Sequence, residues 1–321
     1  MTKLIILGCG SSVGSPWITN NWGKCDRKNK FNIRTRCSAF IQKGDLSILI
    51  DSSPDIKKQI LDNKIKNIDY VLYTHEHSDQ TSGIFELRPF FWKNKKKVDI
   101  YASSKTLRVL KKKYDYCFFG GQGYAPIIKG NLISKKFTLS KNKNKILFTS
   151  FEVEHGKITS TAYLFNRTAY ISDCSQISGE DCKKLRGLKL LIVDCLKINP
   201  HPTHFNLEQA ILISELVRAK KTILTNLHTD LDYNFLKKNL PKNIIPAHDK
   251  MILKIYYCYF QFLLISYLIA FLTASIGNIT HSFLLKYLLD RRNLKFLNDV
   301  RFFIFFTLFF FMYLAKTLAD A

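Results

Sequence analysis

The sequence predicts an α+β fold in which strands alternate with helices. Short apolar runs of strand length recur along residues 3–246, and segments with helical periodicity separate them. Several of these runs end on a histidine or an aspartate. Side chains that follow strand ends gather at one edge of a sheet, where α/β folds place their sites. The pattern therefore predicts layered sheets and helices with polar chemistry along one edge.

The elements follow from this periodicity. We predict strands at 3–8, 38–43, 46–51, 69–74, 98–102, 146–154, 161–165, 168–172, 190–194, 222–226 and 243–246. We predict helices at 55–64, 83–91, 104–113, 179–186 and 206–219. The last helix has Asn206 as its N-cap and Gln209 at its N3 position, which is a capping box with Asn in place of Ser or Thr.

Residues 74–80, Thr-His-Glu-His-Ser-Asp-Gln, follow the apolar run 68–73. His75, His77 and Asp79 are spaced at i, i+2 and i+4. In an extended segment alternate side chains point the same way, so two imidazoles could bind one ion while the carboxylate turns toward a second. A helical pair of histidines would need i, i+4 spacing. A polar surface turn is the alternative interpretation of these seven residues.

Three further strand ends carry candidate ligands. His155 follows the run 146–154, Asp173 follows 168–172, and His228 follows 222–227. A single histidine in such a place is usually structural. Candidates at four separate strand ends rarely arise by chance, so we predict a metal centre.

The order H-x-H-x-D, then His155-Gly156, then Ser172-Asp173, then His228 resembles that of the metallo-β-lactamase superfamily. The stretches 8–16, 36–38, 202–207 and 230–233 are similar to the branch typified by phosphoribosyl 1,2-cyclic phosphate phosphodiesterase. The resemblance covers about residues 3–255. It implies a four-layer αββα sandwich with the metals at the sheet edge.

The resemblance also implies a set of ligands. His75, His77 and His155 would hold the first of two divalent ions, zinc or manganese. Asp173 would bridge both ions, and Asp79 with His228 would hold the second. The family has histidine where this chain has Gln80, and an amide oxygen suits harder ions better than zinc. The second site is therefore expected to be weaker, richer in oxygen ligands or filled partly by water, but not abolished.

The implied reaction is hydrolysis of a small, cyclic phosphodiester by a bridging water between two ions roughly 3.5–4 Å apart. His204 and Asp79 are the predicted catalytic residues. His204 is the candidate general acid for the leaving alkoxide, because the family's proposed acid lies in the Pro-Thr-His stretch 202–204. Its alternative is a loop-capping role beside Phe205. His248 matches no family metal position, and we expect it to be structural or to support a ligand without binding the metal itself.

Other functions remain open at this point. RNA 3′-end processing would require a long basic arm that binds tRNA, which the sequence does not clearly contain. Hydrolysis of thioesters, carboxyl esters or lactams would use the same metals. A non-enzymatic protein, a membrane-tethered scaffold with a relic metal site, would need the ligands to be lost.

The chain carries a formal net charge of +24 at pH 7. Only 11 of its 49 basic residues are arginine, and the abundance of Lys, Asn, Ile and Phe suits biased base composition in the coding DNA. Nucleic acid is thus a possible but not a favoured partner. The basic surface would attract anionic substrates. The eight cysteines form no CxxC pair, so we expect free thiols and no disulfide framework.

Composition changes after residue 254. Residues 255–285 and 302–315 carry no Lys, Arg, Asp or Glu, and 256–276 is long enough to span a membrane. We predict a hydrolase domain at 1–255 in the cytoplasm and a hydrophobic helical tail at 256–321 that associates with the membrane. The tail could be a helical hairpin, interfacial helices or an unrelated segment joined by a frameshift. A homodimer is a further expectation.

Overall fold

The computed structural model describes residues 1–121 and 123–255, which form two β-sheets with helices on their outer sides. The strands are β1 Thr2–Gly8, β2 Ser38–Lys43, β3 Leu46–Ile50, β4 Tyr70–Leu72, β5 Val98–Ala102, β6 Ile128–Leu132, β7 Lys136–Lys141, β8 Asn144–His155, β9 Ile158–Phe165, β10 Thr168–Ile171, β11 Leu190–Asp194, β12 Thr222–Thr225, β13 Ile244–Pro246 and β14 Met251–Ile255. The α-helices are α1 Ile56–Asp62, α2 Ser78–Thr81, α3 Arg88–Asn94, α4 Ser104–Lys113, α5 Asp115–Phe119, α6 Gly179–Lys184, α7 Leu207–Leu216 and α8 Tyr233–Asn239.

One sheet has the order β14-β1-β2-β3-β4-β5-β6, and the other has the order β13-β12-β11-β10-β9-β8-β7. The side chains of β1 alternate between the two faces of its sheet, and this alternation shows how the layers form. Leu4 and Ile6 join a cluster that contains residues of both sheets, such as Phe148. Ile5 and Leu7 face the opposite way and pack with helix residues of the outer layer. The αββα sandwich predicted for the domain is confirmed.

The parallel strands place the polar residues at one edge. β3, β4, β5 and β6 pair in parallel, as do β10, β11, β12 and β13. β8 is antiparallel to β9, which is antiparallel to β10, so β8 and β10 run in the same direction. The segments after β4, β8, β10, β11 and β12 therefore leave the sheets on one side.

The glycine-rich turn after β1 owes its composition to close packing. A Cβ atom at Gly8 would lie 2.1 Å from the carbonyl oxygen of Arg36, and one at Gly10 would lie 2.9 Å from that of Arg34. Asp249 links the turn after β1 to the loop before β2. Its carboxylate accepts hydrogen bonds from Cys9 N at 3.1 Å, Thr35 N at 2.8 Å and Thr35 Oγ1 at 2.6 Å.

Replacement of Asp249 by alanine should therefore lower the free energy of unfolding by about 2–4 kcal/mol, because buried donors lose their acceptor. Urea denaturation followed by tryptophan fluorescence measures this loss. Asp249→Asn keeps one acceptor oxygen and should cost less. A loss below about 1 kcal/mol for the alanine variant would show that the loops have other support.

Some elements differ from the sequence predictions. Strands β6 and β7 and helices α2, α5 and α8 were not predicted. The expected helix 83–91 is a 3₁₀ turn at Ile84–Leu87 followed by α3, whose first turn holds Pro89. Asp79, which was expected in an extended loop, lies in the first turn of α2, and His77 is the N-cap of that helix.

The predicted membrane-associated tail at 256–321 lies outside the described residues. Across 1–121 and 123–255, no helix is long and apolar enough to cross a membrane. The described cysteines are free, as expected.

Candidate metal centre

Three histidine nitrogens converge at the polar edge of the sheets. His75 Nε2 lies 3.0 Å from His77 Nδ1, and His155 Nε2 lies 3.2 Å from the same atom. His75 and His77 come from the segment between β4 and α2, whereas His155 ends β8. Lone pairs packed this closely repel one another unless a proton or a cation lies between them.

Neighbouring groups fix which ring nitrogens face inward. The Thr74 hydroxyl donates to Asp51 Oδ2 at 2.9 Å, so it accepts from His75 Nδ1 at 3.0 Å. His155 Nδ1 donates to the carbonyl oxygen of Thr203 at 2.6 Å. Nε2 of both rings therefore carries the lone pair. Partners of this kind orient metal-binding histidines in proteins.

Both His75 and His77 are neutral at physiological pH. Burial lowers the pKa of His75 to about 3, although the Asp173 carboxylate opposes the shift. Burial and the neighbouring His155 ring lower the pKa of His77 as well. Neutral imidazole is the form that binds metals.

Asp173, which follows β10, supplies a carboxylate beside these rings. His155, Asp173 and His204 form a second group whose ligand atoms lie within 4.8 Å of one another. Burial alone would raise the pKa of Asp173, but His75, His204 and His155 outweigh it and hold that pKa below the usual value. Three imidazoles and one carboxylate suit zinc, and they also suit manganese. The residues present therefore fit one divalent ion.

Two amide side chains adjoin Asp173. Gln80 Nε2 lies 3.1 Å from Asp173 Oδ2 and 3.3 Å from Asp79 Oδ2. Asn226 Nδ2 lies 3.3 Å from Asp173 Oδ1 and 3.0 Å from Asp194 Oδ1. Burial and the Asp173 charge raise the pKa of Asp79 to about 6. The structure thus brings Asp79 to the centre, but with an amide between it and Asp173.

His204 pairs with a carboxylate that the sequence analysis did not single out. Its Nδ1 lies 2.8 Å from Asp194 Oδ2, and Asp194 is fully buried at the end of β11. Burial alone would lower the pKa of His204, but Asp194 and more distant Asp173 and Asp79 raise it to about 9. The imidazole is therefore protonated at neutral pH and has Nε2 free of Asp194.

His228 lies in the wall of the cleft but outside both histidine groups found in the described part of the chain. Its Nδ1 faces Asp230 Oδ2 at 3.4 Å, and its ring centroid lies 5.6 Å from that of Trp17. The ligand role that the resemblance implies for His228 stays a prediction. His248 is structural, as expected, because its ring packs against Phe31 and Tyr233.

The sequence analysis missed four contributors: Asp51, Thr74, Asp194 and Asn226. Asp194 could have been found, because it ends an apolar strand just as His155 does. Asn226 directly follows β12, but only histidine and aspartate were considered at strand ends. The Thr74 and Asp51 contacts depend on the fold and have no sequence signal.

A cleft with a volume of about 980 Å³ opens over the centre. Ser11, Ser12 and Trp17 line one side, and Lys157 and Lys197 add positive charge to the lining. A cleft of this size admits a small molecule. The lysines favour an anionic one.

Comparisons with known proteins agree with this geometry. A family model described as Beta-lactamase superfamily domain matches residues 47–226. The crystal structure of a new diphosphatase from the PhnP family is 31% identical with a TM-score of 0.73, and the match covers 80% of this chain and 99% of that one.

Two further matches are more distant. Zn²⁺-bound PqqB from Methylobacterium extorquens is 18% identical with a TM-score of 0.61, over 78% of this chain and 99% of that one, which shows a shared fold. An octanoyltransferase from Porphyromonas gingivalis is 28% identical over 255 residues, or 77% of this chain. The chain spans 50% of the length of that protein.

Proposed function

The chain belongs to the beta-lactamase superfamily as a hydrolase of the metallo-β-lactamase fold, and we propose that it is a metal-dependent phosphodiesterase acting on a small, cyclic phosphodiester. The observation that carries the proposal is the convergence of His75 Nε2, His77 Nδ1 and His155 Nε2 beside Asp173. The similarity to a PhnP-family diphosphatase supports phosphorus chemistry.

The side chains of the cleft suit a phosphodiester. When bound, a divalent ion supplies Lewis-acid activation of water and of a phosphoryl oxygen. Lys157 and Lys197 offset the negative charge of the diester. His204, protonated and held by Asp194 at Nδ1, can deliver the Nε2 proton to the leaving alkoxide. A lactam or thioester carries no such charge and gains less from the lysines.

The partners follow from this proposal. The substrate is a small anionic phosphodiester. Nucleic acid is not favoured, since the cleft is sized for a small molecule. Membrane association through residues 256–321 and a homodimer stay predictions. Of the two ions that the resemblance implies, the first has three converging histidines with Asp173 nearby, whereas the second would have Asp79 and a share of Asp173.

The full chain, loaded with Zn²⁺ or Mn²⁺, should hydrolyse bis-p-nitrophenyl phosphate and at least one small cyclic phosphate, and should lose the activity on chelation. A lactam, an octanoyl thioester and a tRNA precursor serve as comparison substrates. Turnover of the lactam or the thioester without phosphodiesterase activity would favour the acyl hydrolase alternative. Cleavage confined to the tRNA precursor would favour RNA 3′-end processing.

A further inference from the structure

The side-chain amide of Gln80 donates hydrogen bonds to the carboxylate oxygens that a second ion would need. Its side chain is fully buried, and its Nε2 lies 3.3 Å from Asp79 Oδ2 and 3.1 Å from Asp173 Oδ2. A cation shared by Asp79 and Asp173 would lie beside these N–H groups, whose positive ends would repel it. Asp173 can still bind the first ion, because each carboxylate oxygen has two acceptor sites.

Asn226 donates a hydrogen bond to the other oxygen of the Asp173 carboxylate. Its Nδ2 lies 3.3 Å from Asp173 Oδ1 and 3.0 Å from Asp194 Oδ1. His204 Nδ1, at 3.1 Å, carries the hydrogen that goes to Asp194 and does not compete for these donors. Both oxygens of Asp173 thus receive an amide hydrogen bond.

The neighbouring charges decide how the two amides are oriented. An amide oxygen facing two carboxylates would be repelled, and only a cation between the carboxylates would reverse that preference. Gln80 Oε1 is buried and has no hydrogen-bond partner among the described residues. Rotation of this amide would turn Oε1 toward the carboxylates and is the one change that could admit a second ion.

Among the described residues, no histidine forms a ligand group with Asp79. His75, His77 and His155 face the first position, His204 Nδ1 is bound to Asp194, and His228 faces Asp230. A second ion beside Asp79 would have carboxylate oxygens and at best one amide oxygen, a set that binds zinc poorly.

We infer that this centre holds one divalent ion and that the amide groups of Gln80 and Asn226 take the place of the second ion as hydrogen-bond partners of Asp79, Asp173 and Asp194. The inference deepens the proposed function and rests on it in one respect, that the three-histidine cluster binds metal. The two amides keep the carboxylates in place without supplying a second cation.

The test is the metal content of the full chain, saturated with Zn²⁺ or Mn²⁺ and freed of excess ion. We expect about one ion per chain and a Mn²⁺ electron paramagnetic resonance spectrum without exchange coupling. Asp79→Asn should keep that one ion, since Asp79 belongs to neither ligand group found among the described residues. Two ions with a coupled spectrum, or loss of the ion in Asp79→Asn, would overturn the inference and leave the proposed function standing. A chain that binds no ion would overturn both.

The gain-of-site variant is Gln80→His combined with Asn226→His, which exchanges both amides for imidazoles beside Asp79 and Asp173. It should bind a second Mn²⁺ ion and show the coupled spectrum. Its matched control, Gln80→Asn, retains an amide and should stay at one ion. A folded double variant that still binds one ion would show that these two amides are not what excludes the second.

Discussion

Replacement of His77 by alanine should abolish metal binding and phosphodiesterase activity together. His77 contributes the nitrogen that both other histidines approach, at 3.0 and 3.2 Å. Without it the ion keeps two imidazoles and Asp173. Because a bound ion contributes several kcal/mol of transition-state stabilisation, the rate should fall by about 10³-fold or more.

His77 is the best of the three histidines for this experiment because its side chain is exposed, whereas His75 and His155 are buried. A thermal melt in the absence of metal should therefore differ little from that of the unaltered chain. His201→Ala is the matched control, since His201 lines the same cleft but belongs to neither ligand group found among the described residues. Metal content should be unchanged in this control. Full metal content in His77→Ala would contradict the assigned centre.

Much of the fold could be predicted from the sequence because its strands are continuous apolar runs. Strand β11, Leu190–Asp194, is buried at every position and has the bounds expected from its composition. Strand β6, Ile128–Leu132, was missed because it contains Gly130 and Asn131 and exposes its last residue. Helix α2 has four residues, too few for a periodic pattern to show.

The site was predictable where a single residue type carries the chemistry. The i, i+2 spacing of His75 and His77 predicted that their side chains converge, and the position of His155 at a strand end predicted that it joins them. The environment of Asp173 was not predictable, because it depends on Gln80 and Asn226, which follow strands of different sheets of the sandwich. Amides have no motif of their own, and their effect appears only when the fold brings them to Asp173.

The second large effect concerns His204. Its replacement by alanine should lower kcat by roughly 10²–10⁴-fold for a diester with a poor alkoxide leaving group, because the proton for the departing oxygen is lost. The loss should be much smaller for a p-nitrophenyl diester, since p-nitrophenolate departs without protonation. Metal content should stay unchanged, because His204 Nδ1 is bound to Asp194 and the ion has the three-histidine group of His75, His77 and His155.

Asp194→Asn separates the acid from the residue that positions it. The imidazole stays in the cleft, but it loses the carboxylate that raises its pKa to about 9, so less of it is protonated at neutral pH. The variant should show the same leaving-group dependence as His204→Ala with a smaller loss in kcat. Equal losses on both substrates, or a loss of metal from His204→Ala, would instead assign His204 to the group it forms with His155 and Asp173, as a ligand. The two variants together therefore distinguish a proton donor held by a carboxylate from a further ligand of the ion.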